Sequence, residues 1–216
     1  MGIVSLKIGK GEIAVMTETR RLYYEDVYKK EFTATVLECR ERKNGFAVIL
    51  DESAFYPEGG GQPSDVGTLG DVKVTEVHEK DGELLHYTEQ ALEVGAKVEG
   101  KIDWARRFDL MQQHSGEHMV SGVIHAKYGY DNVGFHMGSD VITVDLNGML
   151  DEAQLAEIER EVNEKVWEDK EVVITYPTAE ELKTQKQEGA DRSGSYCRFS
   201  GSGCLCVLWN SCDSYR

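Results

Sequence analysis

His114 and His118 stand four residues apart in His114-Ser115-Gly116-Glu117-His118, inside a long amphipathic stretch from Trp104 to Tyr128. On a helix this spacing sets two imidazoles one turn apart on the same face, close enough to bind a single metal ion. They would supply half of a four-coordinate zinc site, and a zinc ion with an open position can polarise a carbonyl and activate water for hydrolysis. Histidine pairs on helices also occur as ligand-free surface or core residues, so the spacing alone leaves the bland reading favoured.

The elements that must carry the pair change period halfway along the chain. Before Trp104 the pattern is one of short strands: Phe32 to Glu38 alternates, Phe46 to Leu50 is an apolar run, and Lys97 to Ile102 alternates again. Val72 to Val77 and Leu84 to Tyr87 flank Asp81-Gly82, a strong hairpin signal. Together they predict a small β-barrel from about Tyr23 to Asp103. After Trp104 come a long helix, a strand from Val141 to Leu146, and a helix opened by Asp151 that sets Leu155, Ile158, Val162 and Val166 on one face. Val172 to Tyr176 reads as a strand, and Thr178 with Glu181 as the capping box of a last helix. The expected fold class is α+β, a small β-barrel domain followed by an α+β layer.

The 216 residues carry 24 Lys and Arg against 39 Asp and Glu, a formal net charge of −15. Such a field repels phosphate, which excludes a surface that coats nucleic acid and makes any RNA contact local. The short basic clusters Arg20-Arg21, Lys29-Lys30, Arg40 to Lys43 and Arg106-Arg107 read first as solvated faces. No apolar run is long enough to span a bilayer, and Met1 to Met16 has no apolar signal core, so no membrane partner and a cytoplasmic location are expected. Cys39 stands alone, while Cys197, Cys204, Cys206 and Cys212 crowd the last residues. In a reducing compartment that crowding points to metal chemistry before disulfides, although a tail that never folds would look the same.

The histidine pair has specific company. Upstream lies Phe55-Tyr56-Pro57-Glu58-Gly59-Gly60-Gly61-Gln62-Pro63-Ser64-Asp65, and downstream Asn132-Val133-Gly134-Phe135-His136-Met137-Gly138. From Met16 to Leu182 the chain resembles the AlaX family of free-standing alanyl-tRNA editing proteins, relatives of the editing domain of alanyl-tRNA synthetase. The resemblance implies an N-terminal β-barrel domain followed by a zinc-bearing α+β editing domain of the threonyl/alanyl-tRNA synthetase type. It implies hydrolysis of the ester of wrongly charged tRNA(Ala), chiefly seryl and in some members glycyl. tRNA(Ala) carrying a wrong amino acid would be the partner and one zinc ion the cofactor, and ATP binding is part of how the family is described. His114 and His118 would hold the ion. Gly59, Gly60, Gly61 and Gln62 would approach the aminoacyl end, and His136 would form a polar wall near the substrate; composition alone reads the glycines as a flexible turn and His136 as a satisfied interior histidine. No catalytic side chain is assigned.

The family completes its zinc site with a C-terminal Cys-x-x-x-His, yet no histidine follows His136. Back-translation of Gly203 to Cys212 with one base skipped permits Asp-Val-Cys-Ala-Cys-Cys-Gly-Thr-His-Val, which contains that motif. A reading-frame change near Leu182 to Gln185 is therefore expected, with the C-terminal cysteines an accident of the shifted frame. The expected organisation is a non-native or disordered extension over 1–15, the barrel over 16–103, a partial editing domain over 104–182 and an aberrant, poorly ordered tail over 183–216. With two of four zinc ligands present, editing activity is expected to be impaired. The alternatives are an inactive remnant that binds tRNA, or a zinc peptidase. The peptidase pattern needs a Glu directly after the first His, where Ser115 stands.

Overall fold

The computed structural model describes residues 18–169 and the backbone of 196–200 and 203–207. The protein is a mixed α+β chain with largely antiparallel pairing and, among the described residues, two α-helices. It divides into two compact units, one containing the described residues up to Gly59 and Pro63–Phe108, the other Gly60–Gln62 and the residues from Asp109 onward.

In the first unit, β1 (Arg20–Arg21) pairs in parallel with β4 (Glu52–Ser53), and a 3-10 turn occupies Leu22–Tyr24. β2 (Glu31–Arg42), β3 (Gly45–Leu50), β5 (Gly67–Leu69), β6 (Val72–Lys80), β7 (Glu83–Thr88) and β8 (Lys97–Ile102) form a closed barrel in the order β2-β3-β7-β6-β5-β8, with β8 paired back to β2. Closure leaves none of these six strands as an open edge. Strand alternation sends Phe32, Ala34 and Val36 of β2 into a core shared with Val48, Leu50, Leu69, Val74 and Leu84. β6 and β7 are joined by Asp81-Gly82, with φ of 54° and 81°, and Lys80 opposes Glu83. Positive φ at both loop positions is the two-residue turn that matches strand twist, and Asp-Gly tolerates it best.

A fully buried histidine, His86, sits in this core between the Ser53 hydroxyl (2.8 Å to Nε2) and the Val48 carbonyl, to which its Nδ1 is 3.1 Å away. Burial pushes its pKa from 6.5 down to about 4, with the Val48 carbonyl acting in the opposite direction. A depressed histidine pKa means that the unfolded chain takes up the proton first. Stability is therefore complete above about pH 6.5 and is lost as the pH falls toward 4, by roughly 3 kcal/mol at 1.36 kcal/mol per unit. Urea unfolding of the wild type and His86→Gln at pH 7, 5 and 4 should show the wild type losing more stability over that interval. Parallel losses in the two proteins would mean that another group titrates.

In the second unit, helix α1 (Trp104–Tyr128, of which the residues from Asp109 belong here), the β9–β10 hairpin (Asn132–Met137 and Ile142–Leu146) and helix α2 (Glu152–Trp167) enclose a small core of Val123, Ile124 and Ile158. Asp151 caps α2 by accepting from the Gln154 amide at 2.8 Å while the Gln154 side chain accepts from the Asp151 amide at 2.8 Å, a reciprocal box. The expected four-residue apolar face of α2 is covered only in part. Ile158 is buried and Val162 packs beside it, but Leu155 is 52% and Val166 51% exposed, since among the described residues only Val123, Ile124 and their neighbours supply a partner surface.

Two features departed from the sequence reading. Arg107, read as part of a solvated basic cluster, is buried, because Asp65 neutralises it inside the first unit. The strands β1, β4, β5 and β9 had no periodic signal long enough to mark them, being two to six residues long. The expected strand at Val172–Tyr176, the helix after Thr178 and the extension over 1–15 lie outside the described residues. Within the span 183–216, β11 (Tyr196–Ser200) and β12 (Gly203–Val207) pair as an antiparallel hairpin. No described helix is long and apolar enough to cross a membrane.

Candidate functional site

Helix α1 fixes the histidine pair. Asp103 opens it, its carboxylate accepting from the Arg106 amide at 3.2 Å, and Gly129 closes it at φ 69° with its amide on the His125 carbonyl at 2.9 Å. The His114 and His118 rings stack with centroids 4.8 Å apart and planes at 20°. Phe135 of β9 lies against His114 with centroids 5.4 Å apart.

Both rings are largely buried and favour the neutral state. Burial lowers the His114 pKa to about 4, the neighbouring His118 adds to the effect, and Glu117 opposes it. Burial likewise lowers the pKa of His118, again opposed by Glu117. Neutral imidazole is the form that ligates metal. His114 Nδ1 lies 2.8 Å from Gln62 Oε1, an oxygen that can only accept, so the proton sits on Nδ1 and the lone pair on Nε2. Such a donor set fits two positions of a zinc ion. Among the described residues no group of three or more His, Cys, Asp or Glu side chains is arranged to hold a metal, and ligands from the C-terminal cysteines fall outside the described side chains.

The loop before β5 meets this pair. Gly60 and Gly61 have φ of 59° and 78°, and a Cβ on Gly60 would stand 3.9 Å from His114 Cε1. At Gly61 a Cβ would stand 2.5 Å from Phe135 Cδ1, too close for any side chain. The Gly61 carbonyl accepts from the Met137 amide at 3.3 Å, which ties the loop to β9. Of the seven residues singled out from the sequence, the structure thus brings together His114, His118, Gly60, Gly61 and Gln62. Gly59 belongs to the other unit, and a Cβ there would meet nothing within 4 Å. His136 is exposed, and as the strand neighbour of Phe135 it leaves β9 on the opposite face from the ring that packs on His114.

The loop is clasped at its base within the first unit. Asp65 Oδ2 accepts from the Tyr56 amide at 2.6 Å and the Asp65 amide donates to the Tyr56 carbonyl at 2.9 Å. Arg107 donates to Asp65 through both Nε and Nη2, and Nη2 also reaches the Ala54 carbonyl at 2.7 Å. Sequence reasoning missed two participants here, Arg107 and, beside His118, Glu117. Glu117 is buried and accepts from Ser121 Oγ and from Asn132 Nδ2, the latter at 2.6 Å. Its spacing of four from Ser121 was a visible signal; its partner Asn132 on β9 was not.

Residues 11–106 match the family model described as tRNA synthetases class II (A). The chain is 38% identical over 160 residues to the mouse alanyl-tRNA editing protein Aarsd1, covering 67% of this chain and 39% of the relative. It is 36% identical over 161 residues to the alanyl-tRNA editing protein AlaX-L of Pyrococcus horikoshii, covering 71% and 40%. Over 167 residues it is 39% identical to the alanine–tRNA ligase of Pyrococcus abyssi, covering 73% of this chain and 18% of that enzyme. The chain therefore spans about two fifths of the length of these editing relatives and about one fifth of the ligase.

Proposed function

We propose that this chain, which belongs to the AlaX family of alanyl-tRNA editing proteins, is a hydrolase that cleaves the ester between a wrong amino acid and tRNA(Ala), seryl esters first and glycyl esters second. The observation that carries the reading is the convergence of the Gly60-Gly61-Gln62 loop on His114, itself stacked on His118. His114 and His118 would hold one zinc ion through their Nε2 atoms, and when bound the ion supplies a Lewis acid for the ester carbonyl and a water of lowered pKa.

The protein's own groups then divide the work. Gln62 orients His114 and keeps the proton on Nδ1, so that the ring presents a lone pair and not an N–H. Side-chain-free backbone at Gly60 and Gly61 lets the aminoacyl end come close to the pair: a Cβ at Gly61 would collide with Phe135, and both positions hold a positive φ that favours glycine. The Phe135 ring shields one side of His114 from solvent. Hydrolysis adds water across the ester and releases the free amino acid and tRNA with its terminal hydroxyl restored.

Deacylation of Ser-tRNA(Ala), Gly-tRNA(Ala) and Ala-tRNA(Ala) by the zinc-supplemented chain is the direct test. The seryl ester should be lost fastest and the alanyl ester should stay near its spontaneous rate. Retention of Ser-tRNA(Ala) on the folded protein without hydrolysis would replace this reading with that of a binding module.

A further inference from the structure

Glu117 lies inside the sequence motif that carries the histidine pair, yet the editing reading gives it no task. Its surroundings do. The side chain is 3% exposed, against 16% for His118. Oε1 is saturated from two elements, by Ser121 Oγ one helical turn on and by Asn132 Nδ2 from β9 at 2.6 Å. Asn132 is itself locked, its Oδ1 accepting from the Gly134 amide at 2.9 Å. The other oxygen, Oε2, stands 3.4 Å from His118 Nδ1, an electrostatic contact and not a hydrogen bond.

We infer that Glu117 is the positioning residue of His118. With Oε1 held by Ser121 and Asn132, Oε2 is left facing Nδ1 as an acceptor and cannot rotate away without breaking two hydrogen bonds. The carboxylate beside Nδ1 favours the proton there electrostatically and leaves the lone pair on Nε2, the tautomer that Gln62 sets for His114 through a hydrogen bond. Two different groups, an amide oxygen from the glycine loop and a carboxylate from the helix itself, thus set the two rings in the same tautomer. Through Asn132 the same carboxylate links the ring of His118 to β9, the strand that carries Phe135. The inference rests on the metal-site reading for its purpose, but its core is the tautomer, which exists with or without metal.

Long-range ¹H–¹⁵N correlation spectra of the metal-free, ¹⁵N-labelled protein at pH 8 read the tautomer of each histidine directly. His118 should carry its proton on Nδ1 in the wild type. Free imidazole prefers the opposite, so a wild-type His118 protonated on Nε2 overturns the proposal before any variant is made. In Glu117→Gln, Oε1 can keep both donors while an N–H₂ replaces Oε2, which converts the acceptor facing Nδ1 into a donor. The proton should then move to Nε2, and zinc affinity should fall by about 10- to 100-fold, the usual effect of losing an outer partner. A merely structural Glu117 would lower the melting temperature and leave the His118 tautomer unchanged, and that outcome overturns the proposal. A protein that keeps the Nδ1–H tautomer on both histidines but never binds zinc would instead sink the metal-site reading and leave the positioning role standing.

Discussion

Arg107→Met should destabilise the first unit by about 3–5 kcal/mol, among the largest effects available to a single substitution in this chain. The side chains of Arg107 and Asp65 are 3% and 1% exposed, so removing the guanidinium strands a carboxylate away from water. The Ala54 and Val27 carbonyls lose their donor at the same stroke. Asp65 retains the Tyr56 amide, which offsets only part of the loss. Asp65→Leu alone should be as harmful, because it leaves a buried cation. The double variant Arg107→Met/Asp65→Leu should recover part of the stability, since an apolar pair needs no charge compensation. Urea unfolding of the three variants measures this, and losses below about 1 kcal/mol in both single variants would show that water reaches the pair. Because Asp65 and Tyr56 clasp the base of the glycine loop, the single variants should also loosen the segment that carries Gln62.

Substituting the histidine pair should separate function from folding. His114→Ala/His118→Ala removes two neutral rings that stack on each other, not a charge network, so the change in unfolding free energy should stay within what a small cavity costs, about 1–3 kcal/mol. Zinc affinity should fall by more than about 100-fold, beyond the range seen for loss of an outer partner alone, and deacylation of Ser-tRNA(Ala) should go with it. Metal content after equilibration at a fixed free zinc concentration, measured beside urea unfolding, reads both. Full zinc retention by the folded double variant would move the metal elsewhere in the chain. The same comparison made on His136→Ala should show little effect on metal, because that side chain leaves β9 away from the ring packed on His114.

The amino-acid sequence by itself determined the parts of this protein that depend on local chemistry. The spacing of His114 and His118 dictated that they share a helix face, and the helix runs over Trp104–Tyr128 because Asp103 and Gly129 cap it. Alternation in β2 marked Phe32, Ala34 and Val36 as interior residues, and Asp81-Gly82 specified its own turn. Four of the other features were decided only in three dimensions. Arg107 is buried because Asp65, distant in sequence, neutralises it, and no local pattern distinguishes such an arginine from a solvated one. Glu117 faces His118 because Ser121 and Asn132 hold its other oxygen. Gln62 reaches His114 across a separation of 52 residues because Gly60 and Gly61 adopt positive φ beside Phe135. The apolar stripe of α2 is half exposed because burial depends on what another element offers to cover it, whereas periodicity reports only which residues are available to be covered.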